Sequence, residues 1–331
     1  MQFVPYHLLG DTPNVIVDGM SNAATVCNLS HWPHSGTRQE LKDDLSAQIV
    51  FHYLDCPDFR VNAEAVSNNH FDEDGLVSLY SILNPSAAYQ QRELLIDIAG
   101  AGDFGTYRSS EAARIAFVLA SYADKQQSPL KQEIFDQPYP EYTSALYREL
   151  LPLLPDMIDN LGKYRPYWEE ENTFLKRSEK AIETGQIKIE EKREIDLAIV
   201  TLSEESSNEP PHKLPLGLNH ACHSMAIHNG TGCFRILLMR GKQYQLYFRY
   251  ETWVQYMSRR PLPRVNLAPL AHELSQEEGD RGRWLFTGVD KIDARLYLDG
   301  NSESRILPHE FRKKVESFLA KAPAAWDPYD P

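Results

Sequence analysis

Cysteine is scarce in this chain. The four cysteines among 331 residues, Cys27, Cys56, Cys222 and Cys233, are too far apart to form a Cys-x-x-Cys pair. That spacing argues against a disulfide framework or a zinc ribbon and makes buried free thiols the expectation. Long apolar runs are missing too, since no stretch approaches the roughly 20 residues that crossing a bilayer requires. The start, Met1-Gln2-Phe3-Val4-Pro5-Tyr6-His7, lacks the basic residues and apolar core of a secretory signal. The expectation is a cytoplasmic protein with no membrane partner. Positive charge is in deficit, with 34 Lys and Arg against 47 Asp and Glu for a net charge of −13, which argues against general nucleic-acid binding. No Walker glycine loop, dinucleotide fingerprint or nucleophile elbow is present.

The charge is uneven. From Pro211 onward 17 Lys and Arg accompany 13 Asp and Glu, so this part is near +4 and the remainder near −17. With 42% apolar side chains the chain can bury a large core, and its length suggests two domains. The expected division is an α/β domain over 1–165, a charged helix, strand and linker over 166–214, and a smaller α+β domain over 215–331.

The densest chemistry lies in the acidic part, at Asn68-Asn69-His70-Phe71-Asp72-Glu73-Asp74-Gly75. An imidazole and two alternate carboxylates fall within five residues. A strand-like run, Val61 to Ser67, precedes them, and a helix-like run from Gly75 to Leu83 follows. Open α/β sheets bind ligands at such strand-to-helix turns, and mixed imidazole and carboxylate ligation suits divalent cations. The alternative is ordinary capping, with Asp74 at the helix N-terminus, Asp72 a solvated turn residue and His70 packed or hydrogen-bonded.

His70-x-Asp72-x-Asp74-Gly75 resembles the first motif of the DHH phosphoesterase superfamily, whose members cleave phosphoester or phosphoanhydride bonds with manganese or magnesium. The superfamily's next motifs, a strand-terminal Asp and an Asp-His-His tripeptide, find counterparts in Asp18, at the end of Asn14-Val15-Ile16-Val17, and in His31. Ser30 and Trp32 stand where the tripeptide has Asp and its second His. The segments also occur before His70 rather than after it, so the resemblance requires a circular permutation. It implies a DHH-like sheet and a site in which Asp18, His31, His70, Asp72 and Asp74 hold one or two Mn²⁺ or Mg²⁺ ions, with Zn²⁺ as the alternative. His31, His70 and Asp72 would lie nearest the chemistry. The whole chain also resembles an uncharacterised bacterial family of similar length, through Leu29 to Pro33, Asp43 to Ile49, Asn69 to Gly75 and Gly102 to Arg108.

Further elements follow from periodicity. Leu41, Leu45, Ile49, Val50 and Tyr53 predict a helix, with Thr37 and Glu40 as a capping box. Two helices are predicted near 86–101 and 109–123, with Asp103 in the glycine-flanked turn between them as a further metal ligand or a cap. A helical tract over 140–162 is interrupted by Pro152 and Pro155, and a charged helix extends over 169–194. A strand over 195–202, a linker near 203–214, and a hairpin from Phe234 to Tyr250 come next. A helix at 267–278, a strand at 284–286 and a helix at 308–322 complete the second domain.

The second domain is expected to hold a small anionic substrate. Between Phe234 and Arg264, Arg235, Arg240, Lys242, Arg249, Arg259, Arg260 and Arg264 accompany one acid, Glu251, with tyrosines interleaved. That mixture suits a phosphate and a stacked base, and equally a cationic strand face over packed aromatics. Strand alternation points Arg249 away from a core containing Leu246 and Phe248. Arg108 is a candidate phosphate clamp, and His220 and His228 are candidate substrate contacts. If the segment is helical, His220 and His223 share a face, but no Glu completes a His-Glu-x-x-His protease motif. Three readings follow: a DHH-like phosphoesterase, a non-catalytic ligand-binding protein, and a metallohydrolase of a non-phosphate bond.

Overall fold

The computed structural model describes residues 1–203, 218 and 221–330. It divides into two compact units, Met1–Thr173 with Gln255–Arg259, and Phe174–Val254 with Arg260–Pro331. Among the described residues no helix is long and apolar enough to cross a membrane.

Unit 1 carries a four-stranded parallel sheet of β1 (Gln2–Phe3), β2 (Asn14–Val17), β3 (Thr25–Leu29) and β4 (Ala65–Ser67), in the order β1-β4-β2-β3. The chain passes from β2 to β3 on one side and reaches β4 on the other, so the strand order reverses at β2. Every residue of β2 is buried, as an interior parallel strand requires. The helices are α1 (Ser46–Asp55), α2 (Glu73–Leu83), α3 (Pro85–Gln90), α4 (Arg92–Asp103), α5 (Ser110–Ala123), α6 (Tyr139–Leu150), α7 (Leu154–Asp159) and α8 (Arg165–Glu183), the last running past the unit boundary. α2 packs against α1 and α4, and α4 against α5. Leu76, Leu79, Leu95 and Ile98 are sealed from solvent in this layer.

Several boundaries differ from the sequence expectation. The helix expected after Thr37 begins only at Ser46, and Leu41 lies in a separate 3-10 turn. The Thr37 hydroxyl bonds instead to the carbonyls of Asn28 and Ser30. Asp103 is the last residue of α4, not part of a turn. The charged helix stops at Glu183, and the segment after it forms a strand, because Ile189 alternates with charged neighbours as an edge strand allows.

Unit 2 is a mixed six-stranded sheet, built from β5 (Lys188–Lys192), β6 (Leu197–Thr201), β7 (Arg235–Arg240), β8 (Gln243–Phe248), β10 (Arg283–Phe286) and β11 (Arg295–Asp299) in the order β10-β11-β8-β7-β6-β5. Only β6 and β7 pair in parallel. The expected hairpin is β7 and β8, joined by a two-residue turn in which Gly241 adopts φ +54°, the left-handed conformation such turns favour. Helix α9 (Ser224–Gly230), the small β9 (Arg264–Val265) and β12 (Ala324–Trp326) pair, α10 (Ala268–Glu278) and α11 (Pro308–Leu319) complete the unit. Its core joins Leu246 and Phe248 of β8 to Leu270, Leu274, Phe311 and Val315 of α10 and α11. The strands β9, β11 and β12 were not expected. Most of the expected linker, and His220, lie outside the described residues. All four cysteines are free, Cys222 and Cys233 buried and Cys27 and Cys56 half-buried.

Candidate metal centre

Three carboxyl ends of parallel strands supply the centre. Asp18 directly follows β2, the strand at which the order reverses, His31 lies two residues beyond β3, and His70 three beyond β4. Ligands of open α/β sheets collect at this edge. The first turn of α2 adds Asp72 and Asp74, and the end of α4 adds Asp103.

These six side chains form two ligand groups, Asp18, His31, Asp74 and Asp103 in one and Asp18, His70 and Asp72 in the other. Within each group the ligand atoms lie within 4.8 Å of one another, close to the span of about 4.4 Å available to ligands bonded at about 2.2 Å to a shared ion. Asp18 belongs to both. Its Oδ1 lies 3.5 Å from His31 Nε2, and its Oδ2 lies 3.3 Å from His70 Nε2. Asp103 Oδ2 approaches His31 Nε2 at 3.5 Å, and His70 Nε2 hydrogen-bonds to Asp72 Oδ2 at 2.6 Å. Asp18 is 1% exposed, and the buried Oδ2 of Asp103 accepts no hydrogen bond. Buried polar atoms normally find partners, and a cation held by this group would supply one for this oxygen.

The surrounding contacts hold the ligands in register. His31 Nδ1 lies 2.7 Å from the carbonyl of Asp44. Because a carbonyl only accepts, the ring hydrogen sits on Nδ1 and the Nε2 lone pair faces Asp18 and Asp103, as in metal-ligating histidines held through their other ring nitrogen. The Ser46 hydroxyl donates to Asp18 Oδ1 at 2.7 Å and accepts from the His31 amide. Both oxygens of Asp74 accept from the first amides of α1, at Ser46 and Ala47. Capping falls to Asp72, which accepts from the Gly75 amide at the start of α2. Asp72 therefore takes the cap role that the alternative reading gave Asp74, while Asp74 caps a different helix. His70 is fixed by the Asn68 side chain at its amide, by the Tyr147 hydroxyl at its carbonyl, and by stacking on Trp32 at 5.0 Å. A Cβ at Gly75 would fall 2.3 Å from Asn68 Nδ2 and 2.6 Å from the Tyr147 hydroxyl, which explains the glycine that ends the motif.

The negative charge of the site is compensated only in part, by His70. Burial pushes the Asp74 and Asp103 carboxyls well above the usual range, and neighbouring carboxylates push in the same direction. Burial and the Asp72 charge raise Glu73 to about 7, and burial raises Asp72. Burial also acts to raise Asp18, but hydrogen bonding and charge from His70, then His31 and Ser46, hold it below the ordinary value. Burial opposes charge on both histidines. His31 is lowered, whereas the Asp72 charge and hydrogen bonds with Asp18 and Asp72 carry His70 up to about 11. None of the largest influences on these five carboxylates comes from a Lys or Arg.

The other candidates lie elsewhere. Arg108 is largely exposed beside Glu93. His228 bonds to the Tyr247 hydroxyl at 3.0 Å, and His223 is the N-cap of α9 rather than a helical neighbour of His220. Arg260 pairs with Asp327, and Arg259 is exposed. Arg249 lies just beyond β8 on the side opposite the core of Leu246 and Phe248, as alternation expects, with its guanidinium paired to buried Glu251 and donating to the carbonyls of His228 and Thr231. That side is not open to solvent: α9 meets it through Tyr247, and Arg249 is 3% exposed. Asp44, Ser46 and Tyr147 carry no sequence signal of their role, since each acts through a fold-dependent contact.

No curated protein and no solved structure matches the chain, so no link to a DHH protein is shown and that resemblance rests on the residues alone. One comparison does match, over residues 1–330, and by it the chain belongs to a family of unknown function, DUF6687.

Proposed function

We propose that this protein is a metal-dependent hydrolase with a DHH-like centre, acting on a small phosphorylated or nucleotide substrate. The observation that carries the reading is Asp18, whose two oxygens face different histidines in two ligand groups. A carboxylate in that position could ligate a cation in each group. Charge is consistent with the same count, because Asp18, Asp72, Asp74 and Asp103, if ionised on binding metal, would carry −4, which two divalent ions would neutralise. The oxygen-rich set suits Mn²⁺ or Mg²⁺, with Zn²⁺ the alternative. Such ions lower the pKa of bound water and neutralise charge developing at phosphorus.

The chain's residues divide the work. Asp74, held by two helix amides, and His31, held by Asp44, define the enclosed position with Asp103. His70 and Asp72 are 18% and 27% exposed, so the second position is the one open to substrate. Mn²⁺ titration by calorimetry tests the reading, with two ions expected per chain and both lost in Asp18→Asn. Turnover of bis-p-nitrophenyl phosphate or pyrophosphate should depend on the metal and vanish in the same variant. A protein that binds no divalent ion sinks the proposal. The second reading, hydrolysis of a non-phosphate bond, draws on the absence of Lys or Arg among the largest influences on the cluster, and metal-dependent cleavage of an ester or amide without phosphatase activity would favour it. A third, ligand binding without catalysis, draws on Ser30 and Trp32, and metal binding without turnover of any such substrate would favour it.

A further inference from the structure

Asp44 supplies no atom to either ligand group, yet it joins one ligand to a remote stretch of chain. Its carbonyl receives the His31 ring Nδ1–H at 2.7 Å. Its carboxylate Oδ1 accepts from the backbone amides of Met257 and Ser258 at 2.6 and 2.7 Å. The same stretch returns to His31 by a second route, since the Gln255 amide donates to the His31 carbonyl at 2.8 Å. A third contact is apolar, with Tyr256 meeting Phe104 edge-on at 5.3 Å and Phe104 lying 6.0 Å from the His31 ring. Residues Gln255–Arg259 belong to unit 1, although the residues on either side belong to unit 2.

We infer that Asp44 is a positioning residue for His31: by clamping the Gln255–Arg259 strap, its carboxylate fixes the carbonyl that sets the tautomer and orientation of the His31 ring. The inference rests on the metal reading above. Two anchored amides restrict the Asp44 backbone, and a restricted carbonyl keeps the Nε2 lone pair aimed at the ion position. Outer partners of this kind change metal affinity by about 10- to 100-fold when removed.

The experiment uses the full-length chain and three substitutions. Asp44→Ala removes the carboxylate and leaves the backbone carbonyl in place. Asp44→Asn keeps an oxygen that accepts both amides. Asp44→Glu keeps the charge but displaces it, and stands in should the alanine variant not fold. Long-range ¹⁵N–¹H spectra of metal-free, histidine-labelled protein report the His31 tautomer. The wild-type chain and Asp44→Asn are expected to show a proton fixed on Nδ1, and Asp44→Ala a mixture of tautomers. Mn²⁺ calorimetry should show affinity about 10- to 100-fold weaker in Asp44→Ala, intermediate in Asp44→Glu, and near wild type in Asp44→Asn. A role confined to stability would lower the melting temperature and leave tautomer and affinity alone, and that result overturns the inference. Failure of the wild-type chain to bind Mn²⁺ overturns the metal reading and this inference with it, whereas equal binding by wild type and Asp44→Ala overturns this inference alone.

Discussion

Asp103→Asn should stabilise the metal-free protein and destabilise the metal-loaded one. Asp103 Oδ2 is buried without a hydrogen bond, and burial with the charges of Asp72, Asp74, Asp18 and Glu73 raises the carboxyl well above its ordinary value. Between the unfolded pKa near 3.9 and that raised value, the folded chain holds a proton that the unfolded chain has released. Stability therefore falls as pH rises through this window. Above the window the group folds ionised among like charges, and the cost persists. The neutral amide carries no charge to bury and no proton to hold, and relief of a buried unpaired charge is worth at least the cost of an unsatisfied polar group, about 1–3 kcal/mol. Unit 1 contains about 180 residues, a size at which 1 kcal/mol moves the melting temperature by roughly 2–4 °C. In EDTA at pH 7.5 the variant should therefore melt about 2–12 °C above wild type. Mn²⁺ at about 100 times its Kd contributes about 2.7 kcal/mol to the wild-type chain, or roughly 5–11 °C, while the variant, short of one ligand, gains much less. Calorimetric melts in EDTA and across a Mn²⁺ series read both effects. If the variant melts lower in EDTA and Mn²⁺ raises both proteins equally, Asp103 is an ordinary structural side chain and the reasoning is wrong.

Arg249→Met should cost about 3–5 kcal/mol by stranding the buried Glu251 carboxylate, and a urea melt that shows no loss would contradict the burial of the pair. Asp74→Ala should cost about 0.5–2 kcal/mol of stability in the absence of metal, because it uncaps α1; Asp74→Asn should recover part of that stability without recovering Mn²⁺ affinity, and equal affinity in wild type and Asp74→Asn would remove Asp74 from the ligand set. The Cys222 thiol, which burial raises to about 12, should resist iodoacetamide in the native chain at pH 8 and react promptly in urea. Rapid native labelling at Cys222, located by peptide mass, would contradict that enclosure.

Local chemistry made the centre partly legible. An apolar strand ending in a carboxylate and a glycine announces a strand-end site, so Asp18 and the His70 motif could be read directly. Their meeting could not, because the sequence does not state that β4 and β3 flank β2. The support of the ligands is harder still, since Ser46 and Asp44 are ordinary helix-start residues until folding sets them beside Asp18 and His31. Arg249 shows what alternation leaves out. The side chain takes the face opposite Leu246 and Phe248, as alternation expects, but alternation separates core from solvent only when one face of a sheet is wet, and α9 covers that side of β8. Charge composition says little about where a helix gives way to an edge strand, so the charged tract ending at Glu194 reads as one helix although it ends at Glu183 and β5 follows.

The strap also orders events in time. A chain synthesised at about 5–20 residues per second presents the whole of Met1–Thr173 about 4–16 s before Gln255, roughly 80 residues later, is made. During that interval Asp18, His70, Asp72 and Asp74 are already on the chain, while the Asp44 carboxylate has no Met257 or Ser258 amide to grip. The hydrogen bond between Asp44 and Met257 spans 213 residues, so within unit 1 it is among the last that synthesis permits. Until then the nascent chain carries the acidic side chains without the strap's contacts to Asp44 and His31, and a cation captured early would meet an incomplete set. Maturation of the centre would thereby be tied to synthesis of the chain well beyond Thr173.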